Sequence, residues 1–284
     1  MMKNSLSFSI LIANYNNGKY LMDAVESVRQ QTYTNWEIIL VDDCSTDNSH
    51  ELYKELEQDD RVHIFRNDQN RGCGYTKNRC VAEAKGDWCA FLDPDDMIRE
   101  DALEIMASAI NANPQHGVFY SHMYVCDENM NIVYDNTYAY GSKEWEQFIH
   151  YQKGIPLFLF RKGVYLSTLG IHHSLTQSVD IDLYYKLAEV TTTYYINKPL
   201  YYYRNNPTSL TKNPSRATAT HLWVMLESLK RQGCSDLDIQ NEIEGFWRWR
   251  TEPLYAELSA MKNDRFYKLG QKIRRWKKKI QFKK

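Results

Sequence analysis

The chain has 284 residues, with 35 Lys plus Arg against 36 Asp plus Glu and a formal charge of -1. That balance hides a segregation: ten basic residues and no acid lie between Arg265 and Lys284, so residues 1–264 keep 25 basic against 36 acidic, a net of -11. The acidic body excludes a uniformly basic nucleic-acid binder, and no stretch approaches the roughly 18 apolar residues that a membrane-spanning helix needs.

Phe8 to Ile12 is a short apolar run that predicts a strand, and Asn14 to Gly18 is turn chemistry. Leu21, Ala24, Val25 and Val28 follow at helical spacing. Trp36 to Val41 is continuous and β-branched, which fits a strand buried on both faces. It stops at Asp42-Asp43-Cys44-Ser45-Thr46-Asp47, where Ser45 or Asp47 is the expected cap of a helix carrying Leu52 and Leu56. Val62 to Phe65 predicts a third strand, Asn67 to Gly74 a loop, and the residues through Ala84 a helix. Trp88 to Leu92 predicts a fourth strand, closed by Asp93-Pro94-Asp95-Asp96. Strand and helix in alternation mean a parallel sheet with right-handed crossovers.

Past residue 115 the pattern is mixed. Val118 to Tyr120 and Ile132 to Tyr134 read as strands around a turn at Asp127 to Asn131, and Phe158 to Phe160 as another. Leu183 to Val190 reads as helix, and Tyr194 to Tyr203 as strand with a break at Pro199. After Pro214 three helical stretches are expected: His221 to Arg231, Leu237 to Trp249, and Pro253 onward. The six cysteines form no C-x-x-C pair and no zinc spacing, so they are read as reduced thiols. Met1 to Ser5 is not patterned as a secretory leader, and a cytoplasmic location is expected.

Three polar clusters fall at the carboxyl ends of predicted strands, where parallel sheets bind ligands: Asn14-Tyr15-Asn16, Asp42-Asp43 and Asp93 to Asp96. Asp93 and Asp95, one residue apart, suit either a hard divalent cation or the first turn of a helix. Asp42 and Asp43 suit either a strand-end turn or a hydrogen bond to a nucleobase, on which Tyr15 can stack. Asp180 and Asp182 precede a helical stretch and are either helix-start acids or a general base. Arg204 has the fork geometry for phosphate, or for a structural ion pair. His172 and His173 are either solvated or part of a metal shell.

Taken together, these clusters resemble the family 2 glycosyltransferases, an inverting group with the glycosyltransferase A fold. The similarity runs from about Ser7 to Thr211. It rests on SILIANYNNGKYLMDAVESVRQQTYTNWEIILVDDCSTDNS, on NRGCGYTKNRCVAEAKGDWCAFLDPDD and on RKGVYLSTLGIHHSLTQSVDIDLYYKLAE. The resemblance implies an α/β, Rossmann-like and mainly parallel central sheet flanked by helices, with a C-terminal helical extension. With the helical pattern and the basic tail, the expected division is a catalytic domain (1–214), a helical extension (215–262) and a basic tail (263–284).

By position, the resemblance implies that Ala13, Tyr15 and Asp43 bind the nucleotide. Asp95 with Asp93 would hold Mg²⁺ or Mn²⁺ and the donor diphosphate, and Asp180 would be the catalytic base. Lys77 stands where Arg is commoner, and Arg204 precedes Asn205 and Asn206 where the family often has His. Val179 replaces a frequent Glu. The Q-x-x-R-W motif of processive synthases is absent, so transfer of one sugar, with UDP the favoured carrier, is expected over polymerisation. A sugar nucleotidyltransferase would need a Gly-rich basic loop near the N-terminus, and Ala13 to Gly18 offers one Gly and no Arg. A non-catalytic nucleotide- or membrane-binding module is the remaining alternative.

In the tail, Phe266, Leu269, Ile273, Trp276 and Ile280 recur at three- and four-residue spacing among Lys and Arg. Such a stretch suits a helix in a bilayer interface with its cations on anionic headgroups, a solvated charged end or an RNA contact, and the coincidence of stripe and charge favours the membrane. A lipid-linked glycan acceptor and a peripheral position on the inner face of the cell membrane are therefore expected.

Overall fold

The structure, a computed structural model, describes residues 5–135, 157–205 and 214–263. Contacts divide the chain into two compact units, Met1–Gln232 and Gly233–Lys284.

The first unit is built on one sheet. Its opening strands β1 (Phe8–Asn14), β2 (Trp36–Asp42), β3 (Val62–Arg66) and β4 (Trp88–Phe91) are mutually parallel in the order β3-β2-β1-β4. Helices α1 (Gly18–Arg29), α2 (Ser49–Leu56) and α3 (Cys73–Glu83) make the crossovers. Ile10 to Ile12 and Ile38 to Val41 are buried on both faces of the sheet, which is why both runs are apolar without alternation. Each such side chain contributes roughly 1.5–3 kcal/mol of burial. On α1, Tyr20, Leu21, Ala24, Val25 and Val28 form the buried stripe that covers one face.

The chain leaves β1 towards β2 and β3, then returns to β4 on the other side of β1. That reversal is a switch point, and it opens a crevice outside the carboxyl ends of β1 and β4.

Beyond β4 the sheet is mixed. It adds β5 (Met97–Ile98), β6 (Val118–Cys126), β7 (Ile132–Asp135), β8 (Phe158–Arg161) and β9 (Thr193–Arg204), with the order continuing β4-β8-β6-β9-β5 and β7 pairing with β6. Between them lie α4 (Ala102–Ala112), α5 (Lys162–Leu166) and α6 (Val179–Ala188). Helix α7 (Pro214–Arg231) ends this unit, and α8 (Asp236–Asn263) belongs to the second.

Several expectations are revised. The first strand runs on through Ala13 and Asn14 because both stay paired with β2, so the turn starts at Tyr15. The N-cap of α2 is Asn48, although Asp47 one residue earlier accepts the Ser49 N–H at 3.1 Å. Pro199 does not break β9: it sits opposite His122 at a register shift, where a bulge absorbs the missing donor. Helix α8 runs through Pro253 rather than restarting there. All six cysteines are free thiols, as their spacing implied. No helix among the described residues is long and apolar enough to cross a membrane. The amphipathic stripe from Phe266 to Ile280 lies outside the described residues.

Candidate active site

Asn14 and Asp42 face each other across β1 and β2 at the strand ends. Both are fully buried. The Asn14 amide donates to Ser49 Oγ at 3.0 Å and to the Tyr53 hydroxyl at 2.9 Å, which ties β1 to α2. Beyond them the chain turns sharply: Asn16 and Cys44 have φ of 52° and 62°, a left-handed conformation that non-glycine residues rarely hold. The two turns brace one another, with Asn16 N–H donating to Ser45 Oγ at 2.9 Å and Thr46 N–H to Asn16 Oδ1 at 2.7 Å. Tyr15 projects from this braced pair and is 49% exposed, while Ala13 is half-buried just inside it.

Asp43 is buried and spends its carboxylate on the loop from Asn67 to Gly72. Oδ1 accepts from Asn67 Nδ2 and from the Arg71 N–H, both at 2.7 Å, and Oδ2 accepts from the Gly72 N–H at 2.8 Å. Gly72 has φ of 86°, which lets the loop turn its N–H into the carboxylate. The loop leads into α3, whose first turn meets the chain segment before α6. A Cβ on Gly74 would lie 2.5 Å from the carbonyl oxygen of His172, so only glycine permits this approach. Gly74 N–H donates to Leu175 O at 2.9 Å, and Asn78 Nδ2 to Ile171 O at 3.0 Å. Tyr165 donates its hydroxyl to Asn78 Oδ1 at 2.8 Å and accepts from the Ile171 N–H at 3.0 Å.

This clamp delivers α6, where two acids part company. Asp182 is buried: its Oδ2 accepts from Lys186 Nζ at 2.7 Å and from the His172 N–H at 2.8 Å. Asp180 is only half-buried and lies within electrostatic reach of Lys77, Asp93 and Cys73. Burial pushes the Asp180 carboxyl above its ordinary value, with the Lys77 cation opposing that rise. Burial disfavours the Lys77 ammonium, yet Asp93 at 3.1 Å, with Asp180, holds it protonated and its pKa above normal. Ser178, the residue before α6, has φ of 54°, a strained entry to the helix that carries Asp180. The fold thus gathers Lys77, Asp93 and Asp180 from three separate stretches of chain.

Asp93 to Asp96 is not a helix start. It is a turn with Pro94 at its second position, closed by Asp96 N–H donating to Asp93 O at 3.0 Å, and α4 begins only at Ala102. The Asp93 side chain is 53% exposed and Asp95 is half-buried, whereas Asp96 is buried. Among the described residues no three His, Cys, Asp or Glu side chains are grouped as a metal-ligand set. Asp93 and Asp95 supply oxygen donors alone, which fits an ion that keeps waters and takes one or two carboxylates plus substrate phosphate. His173 instead meets Asn78, at 2.8 Å, and His172 packs edge-on against Trp223.

Arg204 stands apart from that gathering. Its Nη2 donates to Asp23 Oδ2 at 2.6 Å, its Nε to the Asp95 carbonyl at 2.7 Å, and its Nη1 to the Glu128 carbonyl. The fork expected to reach phosphate is occupied by protein acceptors. Three residues central to this architecture were not among those singled out: Asn67, Asn78 and Asp96. Asp96 is the third acid of Asp93-Pro94-Asp95-Asp96, and nothing local in the sequence distinguishes an acid that faces inward.

A sheet whose parallel half has a switch-point crevice, lined by strand-end acids, a lysine and a half-buried carboxylate, defines a ligand-binding α/β architecture. Residues 9–169 match the family described as Glycosyl transferase family 2, which is more than half of the chain. The chain belongs to that family. The glycosyltransferase GlyG of Streptococcus pneumoniae serotype 4 is 34% identical over 137 residues, covering 48% of this chain and 40% of that one. The chain thus spans about two-fifths of that relative's length. Among solved structures, S. aureus TarS 1–349 in complex with UDP-GlcNAc has a TM-score of 0.71 at 18% identity, covering 87% of this chain and 73% of that one. The mannosyltransferase PcManGT from Pyrobaculum calidifontis, in complex with GDP-Man and Mn²⁺, has a TM-score of 0.65 at 14% identity, with 94% and 83% covered. The fold is therefore the glycosyltransferase A fold.

Proposed function

We propose that the chain is an inverting, metal-dependent glycosyltransferase that moves one sugar from a nucleotide-diphosphate sugar to an acceptor hydroxyl. The observation that carries this reading is the convergence of Asp93, Lys77 and Asp180 in the switch-point crevice of a family member. The base of the nucleotide lies against Tyr15, Ala13 and the Asp43 loop, and a UDP-sugar is favoured because a structural relative holds UDP-GlcNAc. Asp95 with Asp93 would hold Mg²⁺ or Mn²⁺, which when bound neutralises the diphosphate as a leaving group. Lys77 adds a fixed positive charge beside Asp93.

Asp180 accepts the proton of the acceptor hydroxyl as that oxygen bonds to the anomeric carbon. The bond from that carbon to the diphosphate oxygen breaks on the opposite face, so one displacement inverts the configuration. A carboxyl raised by burial suits a base that works near neutral pH. The acceptor is a growing cell-surface glycan on a lipid carrier, approached from the inner membrane face by the basic tail. The acidic body and cationic tail support that placement.

The test is nucleoside diphosphate release from a panel of UDP- and GDP-sugars, with and without glycan acceptors, followed by NMR of the product's anomeric proton. Acceptor-dependent release with a β-linked product from an α-linked donor supports the reading. Release of pyrophosphate from a nucleoside triphosphate and a sugar phosphate would instead indicate a nucleotidyltransferase, and donor binding without release would indicate a binding module. Deleting residues 265–284 should release the protein from anionic vesicles while sparing donor turnover; undiminished vesicle binding removes the membrane role of the tail.

A further inference from the structure

Asp96 is 2% exposed in a turn whose first acid, Asp93, is 53% exposed, and both Asp96 oxygens are taken by one strand. The Tyr201 hydroxyl donates to Asp96 Oδ2 at 2.7 Å, and the Arg204 backbone N–H donates to Asp96 Oδ1 at 2.8 Å. The same Tyr201 oxygen accepts the Asp93 N–H at 3.3 Å, and Arg204 Nε donates to the Asp95 carbonyl. Residues Asp93, Asp95 and Asp96 are therefore each fixed by β9. The strand is in place to do so because Met97 and Ile98, which follow the turn, pair with Tyr202 and Tyr201.

Arg204 is itself held from three directions. Its guanidinium packs over the Tyr20 ring at 4.4 Å, pairs with Asp23 on α1, and reaches Glu128 in the β6–β7 connection. The adjoining cavity of ≈ 420 Å³ is lined by Lys19, Tyr20, Asp23, Met97, Glu128 and Arg204, among others. Its charges pair with one another, Lys19 with Glu128 and Arg204 with Asp23.

We infer that Asp96, Tyr201 and Arg204 are positioning residues that hold the Asp93–Asp96 turn in the shape that presents Asp93 and Asp95 to a divalent cation and the donor diphosphate. The inference rests on the glycosyl-transfer reading and adds to it residues that touch neither donor nor acceptor. A four-residue turn closed by a single backbone hydrogen bond is weakly held alone. Four further bonds from Tyr201 and Arg204, both buried, convert it into a fixed frame, and groups that orient metal ligands typically govern affinity by about 10–100-fold.

The experiment is calorimetric titration of UDP into the full chain across a series of Mn²⁺ concentrations, for wild type, Tyr201→Phe and Asp96→Asn. Tyr201→Phe keeps the ring in the core and removes only the hydroxyl, and thermal unfolding checks that each variant is folded. The expected result is a Mn²⁺ requirement for half-maximal UDP affinity raised about tenfold, with UDP affinity in the absence of metal unchanged. Arg204→Lys, which keeps the charge but loses the fork, should shift the requirement in the same direction. A folded Tyr201→Phe with the wild-type Mn²⁺ requirement overturns the positioning role alone. A wild-type protein that binds UDP equally with and without Mn²⁺ overturns the metal reading beneath it.

Discussion

The turn at Asp93–Asp96 and the helix start at Asp180–Asp182 solve one problem in two ways. Each segment pairs an acid of the crevice, Asp93 in the turn and Asp180 in the helix, with one buried acid that serves as an anchor: Asp96 in the turn, Asp182 in the helix. The anchors differ in where their partners come from. Asp182 pairs with Lys186 on the next turn of its own helix and with the nearby His172 N–H. Asp96 pairs with Tyr201 and Arg204, more than a hundred residues away. The comparison teaches that an acid's neighbours in sequence do not reveal whether it is chemistry or scaffold; the direction in which the fold turns it does.

That division can be broken acid by acid. The outward acid of the helix should matter most for the reaction: Asp180→Asn is expected to lower transfer by about three orders of magnitude, since a positioned base contributes roughly 10²–10⁴-fold. UDP affinity with Mn²⁺ should stay within about twofold by calorimetry. Near-normal turnover would remove Asp180 from the mechanism. The inward acid should matter for the fold instead. Asp182→Ala leaves the buried Lys186 ammonium uncompensated, and urea unfolding should show a loss of roughly 3–5 kcal/mol. The double change Asp182→Leu with Lys186→Met should cost less than the single one; an equal or larger loss argues that packing, not charge pairing, is what Asp182 supplies.

The clamp between α3 and the segment before α6 gives a smaller effect. Gly74→Ala sets a Cβ 2.5 Å from one backbone oxygen and 2.8 Å from another, His172 O and Leu175 O. Accommodating it should cost roughly 1–3 kcal/mol and lower kcat more than donor affinity, because the segment that moves leads into the helix that carries Asp180. A variant with unchanged kcat shows that Asp180 is positioned without this contact.

The pH profile is the finest probe. Asp180 must be ionised to accept a proton, and burial raises its carboxyl, so kcat/KM should fall as pH drops through a value above the ordinary carboxylate range of about 4. Removing the opposing cation with Lys77→Met should move this limb to still higher pH. An acid limb at or below about 4, or one indifferent to Lys77, assigns the titration to another group.

Much of this was open to reading in the sequence. The apolar runs Ile10 to Ile12 in β1 and Ile38 to Val41 in β2 fit strands covered on both faces, and their alternation with helical stripes fits parallel crossovers. The polar residues that end each run then fall at one edge, so the crevice follows from topology. Elements with weak or unusual signals did not declare themselves: β5 is two residues long, α5 is five, and the bulge at His122 lets Pro199 stay within a strand. Arg204 is the clearest case among the site residues. Its fork suits phosphate, and only the positions of Asp23, Asp95 and Glu128 show where its donors go.

The sequence by itself determined the parallel half of the sheet, the edge at which the acids collect, and the contrast between an acidic body and a basic tail. These are local properties, set by apolar periodicity, turn chemistry and charge along the chain. The tertiary structure decided which acids look outward. It brought Lys77 within 3.1 Å of Asp93, spent Asp43 on the loop that leads to α3, and turned Asp96 onto a strand more than a hundred residues later. A carboxylate's role depends on burial and on the donors around it, and both are fixed only when distant stretches of chain pack together.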